Sequence, residues 1–340
     1  MLISSITSDK SGPQAHKRLA LINTAAVSYS LVGYGLGLLG LLSSSTITNL
    51  LGLGLLLHSL LWSAYLVHDC MHGSLFRNRQ LNDAVGNVLL WINGGICYSF
   101  AALKQQHIDH HVDRADILTV EVPSRIRALP VFCRWLVLAA EWSYIPVVAF
   151  WSRFNGLLRP WWDPDARSRR WQTVAIVTAR ILMFVGIGLL SPKAVALYLV
   201  AYIGMIHITR WADAFQHTYE GFPLGTDLPE RSRSHEREHT FSTVLSCRYP
   251  WLNVLLLNFG YHSAHHNAMG RSWYKLPVLS RELYKQGSVS YMPVWEQLSN
   301  YHRYRVKRLL EGQGDVLRQH GACNYERFYG AVDVSFITLY

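Results

Sequence analysis

Eight of the sixteen histidines in this chain fall into three tight clusters: His68-Asp-Cys-Met-His72, His107-Ile-Asp-His110-His111 and His262-Ser-Ala-His265-His266. On a helix, residues at i and i+4, or at i, i+3 and i+4, share one side. Neutral imidazole is the commonest metal ligand among side chains, and three such groups converging would offer more nitrogens than a tetrahedral zinc site accepts. The spacing therefore predicts a site for two metals, with positions left open for a co-substrate. Imidazole suits zinc, copper, iron and nickel alike, so ligand type does not choose among them. His16, His58, His302 and His320 have no ligand-like neighbour at helical spacing and read as structural. Cys70 sits inside the first cluster but off the side shared by His68 and His72, and reads as a packing residue.

The elements that must position these histidines are largely apolar. Of 340 residues, 50% are hydrophobic and only 16% charged, with a mean hydropathy of +0.10. That is too apolar for an ordinary soluble chain and too charged for one that lies wholly in a membrane. Leu21 to Leu42 and Thr46 to Val67 carry no Asp, Glu, Lys or Arg, and each is long enough to cross a hydrocarbon core of about 30 Å. Thr173 to Leu190, with one Arg180, and Ala194 to Thr209 form a second pair around Ser191-Pro192-Lys193. The expected class is an all-α integral membrane protein: two transmembrane hairpins, four spans, and a helical cap that holds the histidine site.

Ala84 to Ala102 holds Asn87, Asn93, Gly94 and Gly95 and reads as a short or re-entrant segment. Leu129 to Trp151 contains Arg134 and Glu141 and reads as an interfacial helix, because a charge at the bilayer centre costs at least about 2.5 kcal/mol. Arg153, Arg159, Arg167, Arg169 and Arg170 read as a basic cytoplasmic run. With Lys10, Lys17 and Arg18 before the first span, the positive-inside rule puts both termini and all three clusters on the cytoplasmic side. No signal peptide is expected ahead of the first span. Five scattered cysteines (Cys70, Cys97, Cys133, Cys247, Cys323) suggest no disulfide framework. No long linker rich in Pro, Gly or Ser interrupts the chain, which reads as one domain over 1–340. Trp62, Trp91, Trp211 and Trp273 are expected to form an interfacial belt, with the lining of a lipid tunnel as the alternative.

H-x-x-x-H, H-x-x-H-H and H-x-x-H-H in this order, around two membrane hairpins, resemble the integral-membrane fatty acid desaturase superfamily, which also holds hydroxylases and carotenoid ketolases. The resemblance covers roughly Ala64 to Lys285 and is most specific at His68–Gly73 and Asn258–His266. It implies a non-haem centre of two iron ions on His68, His72, His107, His110, His111, His262, His265 and His266, which uses O2 to remove hydrogen from an unactivated acyl C–H bond. It also implies an external electron donor (a ferredoxin, a rubredoxin or cytochrome b5) with its NAD(P)H reductase. The sequence carries no haem or dinucleotide motif of its own. A ninth ligand is common in such proteins between the second and third clusters, and His217, directly after the fourth span, is the expected one. His239, paired with His235 in a charged loop, is the alternative, and His207 would lie within the membrane. Asn258 could hold a metal-bound water or simply pack. All-imidazole ligation leaves the metal charge uncompensated, so carboxylates on the second ring nitrogens should matter. Asp69, Asp109, Asp113, Asp116 and Asp213 are nearest in sequence, with Asp69 and Asp109 favoured.

The net charge of +10 fits anionic headgroups or a phosphate-bearing acyl carrier equally. The leading expectation is a fatty acyl desaturase. A hydroxylase or carotenoid ketolase with the same centre is the nearest rival. A metal transporter would place its ligands near the midplane on broken helices, and a zinc hydrolase would leave five histidines unexplained. Chain length, bond position, acyl carrier, electron donor and oligomeric state are not legible.

Overall fold

Two long helical hairpins carry the apolar sequence in the structure, a computed structural model that describes residues 13–332 apart from 96–98, 119–120, 224–225, 288 and 320–321. Lys10, Cys97 and His320 lie outside the described residues, as does the side chain of His16. The first hairpin pairs α1 (Pro13–Leu41) with α2 (Thr46–Met71), whose N-terminus is capped by the Ser45 hydroxyl. Lipid tails are as apolar as Leu, so hydrophobicity does not drive two spans together; close backbone approach does. Here Gly37 meets the α2 backbone, where an added Cβ would fall 2.8 Å from the amide nitrogen of Leu56. Asn49 closes the turn by donating to the carbonyls of Gly40, Leu41 and Ser43.

Beyond His72 the chain turns back along α2 as α3 (Arg79–Asn93), capped by the Asn78 carboxamide. At 15 residues, α3 extends about 22 Å, too short to cross. It stops at Gly94, whose left-handed backbone (φ 82°) no β-carbon would easily allow. After Ser99 the chain returns as α4 (Phe100–Asp113). The expected short, non-crossing segment is thus a helix–turn–helix whose second arm delivers the second histidine cluster.

A short strand, β1 (Asp116–Leu118), pairs in parallel with β2 (Gly221–Pro223), Asp116 opposite Gly221. Between them, α5 (Val122–Ala128) precedes α6 (Val131–Trp142) and α7 (Val147–Trp162), which meet at 113°. The single interfacial helix expected over Leu129 to Trp151 is therefore two. Buried Glu141 accounts for the break: one oxygen accepts from the Val148 amide that opens α7 (2.8 Å), and the other from Arg210 (3.2 Å). Phe132, Trp135 and Leu136 of α6 stay exposed, as an interfacial helix requires.

The second hairpin joins α8 (Arg170–Leu190) to α9 (Pro192–Asp213), with the Ser191 hydroxyl capping α9. Lys193 ties its turn to the first hairpin, reaching Asn49 at 2.6 Å. Among the described residues, four helices are long and apolar enough to cross a membrane, at Leu19–Leu41, Thr46–Met71, Pro164–Leu190 and Pro192–Asp213. The chain is an integral membrane protein. Arg153, the first of the basic run, sits in α7 and bonds Tyr202, halfway along α9. The tryptophan expectation changes here. Trp273 is buried and donates to Asn23, and Trp62 donates to the Leu255 carbonyl, so neither serves as a belt. Of the exposed tryptophans, Trp135, Trp142, Trp161, Trp162 and Trp171 lie around the α6–α7–α8 connections, and Trp251 and Trp295 lie further along the chain.

The remaining chain forms the cap: α10 (Arg233–His239), α11 (His262–Asn267), α12 (Leu276–Lys285) and α13 (Val294–Arg303). Phe215, Phe241, Tyr301 and Phe328 pack into a small core under the segment that follows α9. The Ala331 amide bonds the Ala214 carbonyl at 2.7 Å, so the end of the described chain helps to hold that segment.

Candidate metal centre

Each cluster reaches the site from a different element. His68 lies in the last turn of α2 and His72 caps it; His107, His110 and His111 occupy the second half of α4. The third cluster forms α11, approached through Leu257 and Asn258, both left-handed (φ 49° and 56°). That reversal is braced by Asn253, whose side-chain oxygen accepts from the amides of Leu245 and Ser246. His217 follows α9 in an extended segment, bridged to Thr240 and fixed by Thr218 N–H to the His239 carbonyl and Phe241 N–H to the Gln216 carbonyl.

The histidines assemble as two groups rather than one. Ligand atoms of His68, His72, His107, His111 and His265 lie within 4.8 Å of one another, and so do those of His110, His217 and His266. His262 joins the second group through His217, Nε2 to Nε2 2.7 Å, with its ring centroid 4.6 Å from those of both His217 and His266. The split follows from helical geometry. Successive residues point about 100° apart, so His110 and His111 cannot address one point; nor can His265 and His266. Each H-x-x-H-H run therefore serves both groups, while the H-x-x-x-H pair, one turn apart, serves one.

Three carboxylates accept from ring nitrogens on the far side of the site. Asp116 stands 2.9 Å from His110 Nδ1, Glu236 3.2 Å from His266 Nδ1 and Asp69 3.3 Å from His68 Nδ1; Thr240 adds a hydroxyl 3.3 Å from His217 Nδ1. A carboxylate accepts only, so Nδ1 of His110, His266 and His68 carries the proton and Nε2 presents its lone pair inward. Glu236 is itself held by Arg114, at the left-handed C-cap of α4, and by Arg233. Of the carboxylates favoured from sequence, Asp69 is present and Asp109 is not: it accepts from Gln105 on the exposed side of α4. Glu236 was missed altogether. It lies thirty positions from the histidine it touches, and no local pattern marks it.

The donor set fits metal ions. Nε2 atoms face one another at 2.8 Å (His72 and His107), 3.2 Å (His107 and His111), 3.1 Å (His111 and His265) and 3.2 Å (His110 and His217). Two ligands at right angles on a metal with bonds near 2.1 Å stand about 3 Å apart, the same spacing. His266 Nε2 is buried without a hydrogen-bond partner, an orphan lone pair aimed at its neighbours. Burial, then the surrounding imidazoles, pushes the pKa of His72, His107, His111, His217, His262 and His266 well below the ordinary range, and that of His265 to about 3. Neutral rings are the form that binds a cation.

The other polar candidates fall elsewhere. His239 turns back on its own helix, bonding the His235 carbonyl (2.9 Å) and stacking on the His235 ring. His207 bonds Tyr301 and the Tyr144 carbonyl, His58 bonds Tyr29 and the Leu255 carbonyl, and His302 bonds Tyr144. Cys70 is buried in the apolar core, and the described cysteines are free. Asn258 donates to the Trp273 carbonyl, and its side-chain oxygen is buried without a partner. Phe259 packs edge-on against His68 and stacks on Tyr65, giving the first group an apolar wall.

Comparison with known proteins agrees with this geometry. A curated relative, described as an sn-1 oleoyl-lipid 12-desaturase from Anabaena variabilis, is 23% identical over 228 residues, covering 58% of this chain and 58% of that protein. The shared region thus spans little more than half of the relative's length. A family model described as fatty acid desaturase matches residues 45–298, a stretch that takes in α2 and all nine clustered histidines. The chain belongs to the fatty acid desaturase family.

Proposed function

We propose that the protein is an O2-dependent desaturase of lipid acyl chains, with two iron ions held by nine histidines. His68, His72, His107, His111 and His265 would hold one, and His110, His217, His262 and His266 the other. The observation that carries the reading is the division of the clusters into two groups at nitrogen spacings suited to a metal. When bound, the metals supply the reduction of O2 and the removal of hydrogen from an unactivated C–H bond. The overall reaction balances as one CH2–CH2 unit, O2, two electrons and two protons giving one CH=CH unit and two waters.

The protein's own groups prepare that chemistry. Asp116, Glu236 and Asp69 accept from the rings and orient them, and Asp116 and Glu236 supply negative charge beside an otherwise neutral ligand set. Tyr65 and Phe259 keep water from one side of the first group. The buried side-chain oxygen of Asn258 is suited to orient a water there. The spans provide an apolar route for a lipid chain. The two electrons are drawn from a separate protein of the ferredoxin, rubredoxin or cytochrome b5 type, served by an NAD(P)H reductase. The site and both termini face the cytoplasm in this reading, in line with the basic residues that flank the spans.

The test is a membrane preparation supplied with a deuterated fatty acid under 18O2 and analysed by mass spectrometry. A new double bond without incorporated 18O is expected; retained 18O would assign a hydroxylase or ketolase instead. His110→Ala should abolish turnover while leaving membrane insertion intact, since His110 lies outside the spans.

A further inference from the structure

Away from the histidines, an apolar cavity of about 570 Å3 opens between α7, α8 and α9, beside the turn that ends α3. Phe150, Leu157, Val177, Phe184 and Tyr198 form much of its wall, and no histidine lines it. Ile181, Val185 and Leu199, on the outer side of the two spans, remain about half exposed, so the cavity opens toward lipid.

Two cations stand at this apolar space. Arg180 lines it, its guanidinium 4.4 Å from the Trp91 ring, and its Nη2 is buried without a hydrogen-bond partner. Arg153 reaches the same wall through Tyr202: its Nη1 donates to the Tyr202 hydroxyl (2.6 Å) and to the Asn93 carbonyl (3.5 Å). Its Nε and Nη2 are also buried without partners. Among the described residues, no carboxylate pairs with either guanidinium. Closing the last carbonyl of α3 explains one nitrogen of Arg153, and the Trp91 face explains where Arg180 rests. Neither explains three buried guanidinium nitrogens with nothing to donate to, which is costly for any buried donor and most of all for Arg180 within a span.

We propose that this cavity binds a single-chain fatty acid, its carboxylate against Arg180 and Arg153 and its alkyl chain in the apolar space, at a site separate from the histidine centre. A planar carboxylate accepts well from guanidinium donors, and these three nitrogens have none of their donors used. Depth selects the occupant. Arg180 is near the middle of the 21-residue α8, about 15 Å from either end. A phospholipid phosphate anchored in the headgroup layer does not reach that far, whereas the carboxylate of a lone chain does. The proposal does not rest on the desaturase reading, and its test uses no turnover.

The full-length protein, in nanodiscs of uncharged phosphatidylcholine, is photolabelled with palmitate carrying a diazirine, and the labelled peptides are mapped by mass spectrometry. Label is expected within residues 150–157 and 176–202, displaced by palmitate and at least about tenfold less well by its methyl ester. Arg180→Gln and Val177→Trp, which remove the charge and fill the space, should each reduce labelling several-fold, with Arg180→Lys largely retaining it. Label confined to other regions, equal competition by the ester, or displacement by phosphatidylglycerol as readily as by palmitate would overturn the proposal. Ester competition on the unaltered protein decides the matter even if Arg180→Gln fails to insert.

Discussion

Glu236 is buried, accepts from His266, and is gripped by Arg114 and Arg233. Arg114 is the residue that ends the helix bearing the second cluster, so one carboxylate joins the tautomer of a third-cluster histidine to the end of α4. In Glu236→Gln the amide oxygen still accepts from His266, but the negative charge beside the second group is gone. Affinity for one of the two metals should fall about 10- to 100-fold, the effect typical of lost outer partners. Asp116→Asn should act the same way through His110. Asp109→Asn should leave both metals in place, because its partner is the exposed Gln105. Metal titration of the three purified variants, read as equivalents bound, separates these outcomes; equal loss from Asp109→Asn would contradict the assignment.

At the scale of elements, α2 is the pivot: it packs against α1, α3 and α9 and ends in the first cluster. Its contact with α1 depends on backbone proximity at Gly37, where a Cβ meets the Leu56 backbone, whereas a Cβ on Gly35 meets nothing within 4 Å. Gly37→Ala should lower the unfolding midpoint in detergent by several degrees. Gly35→Ala should leave it unchanged or raise it slightly, since Ala favours a helix over Gly by up to about 1 kcal/mol. Equal effects of the two would remove close packing as the reason for this hairpin. The same logic of elements explains the division of histidines, because a helix can hold adjacent residues to two centres but not to one.

Across the whole molecule, the donors come from α2, α4, the segment after α9 and α11, between His68 and His266. Only the folded chain brings them together, so metal binding is linked to folding. Iron(II) added to the metal-stripped protein should raise its unfolding midpoint, by about 2.7 kcal/mol of stability at a concentration 100 times Kd, and a chelator should reverse this. The pH dependence of the stripped protein has a definite sign. The folded-state pKa values of these histidines lie below the ordinary value, at about 3 for His265. The unfolded chain therefore binds more protons once the pH drops below about 6.5, and stability falls with it. The midpoint should drop between pH 7 and pH 5, more steeply than one proton explains. A flat profile over that range would argue against a buried, neutral cluster.

Local pattern alone marked much of this protein. Long apolar runs identify the two hairpins because span length is a property of consecutive residues. Cluster spacing identifies eight of the histidines that converge; His217 is implied by the family resemblance and picked by its place directly after a span. What local pattern could not supply is partnership across the chain. The division of His110 from His111, the carboxylate of Glu236 in place of Asp109, the break that Glu141 stabilises between α6 and α7, and the turn of Arg153 toward Tyr202 each join residues about 7 to 156 positions apart. Periodicity says which side of a helix a residue occupies, while only the packed molecule determines what that side meets.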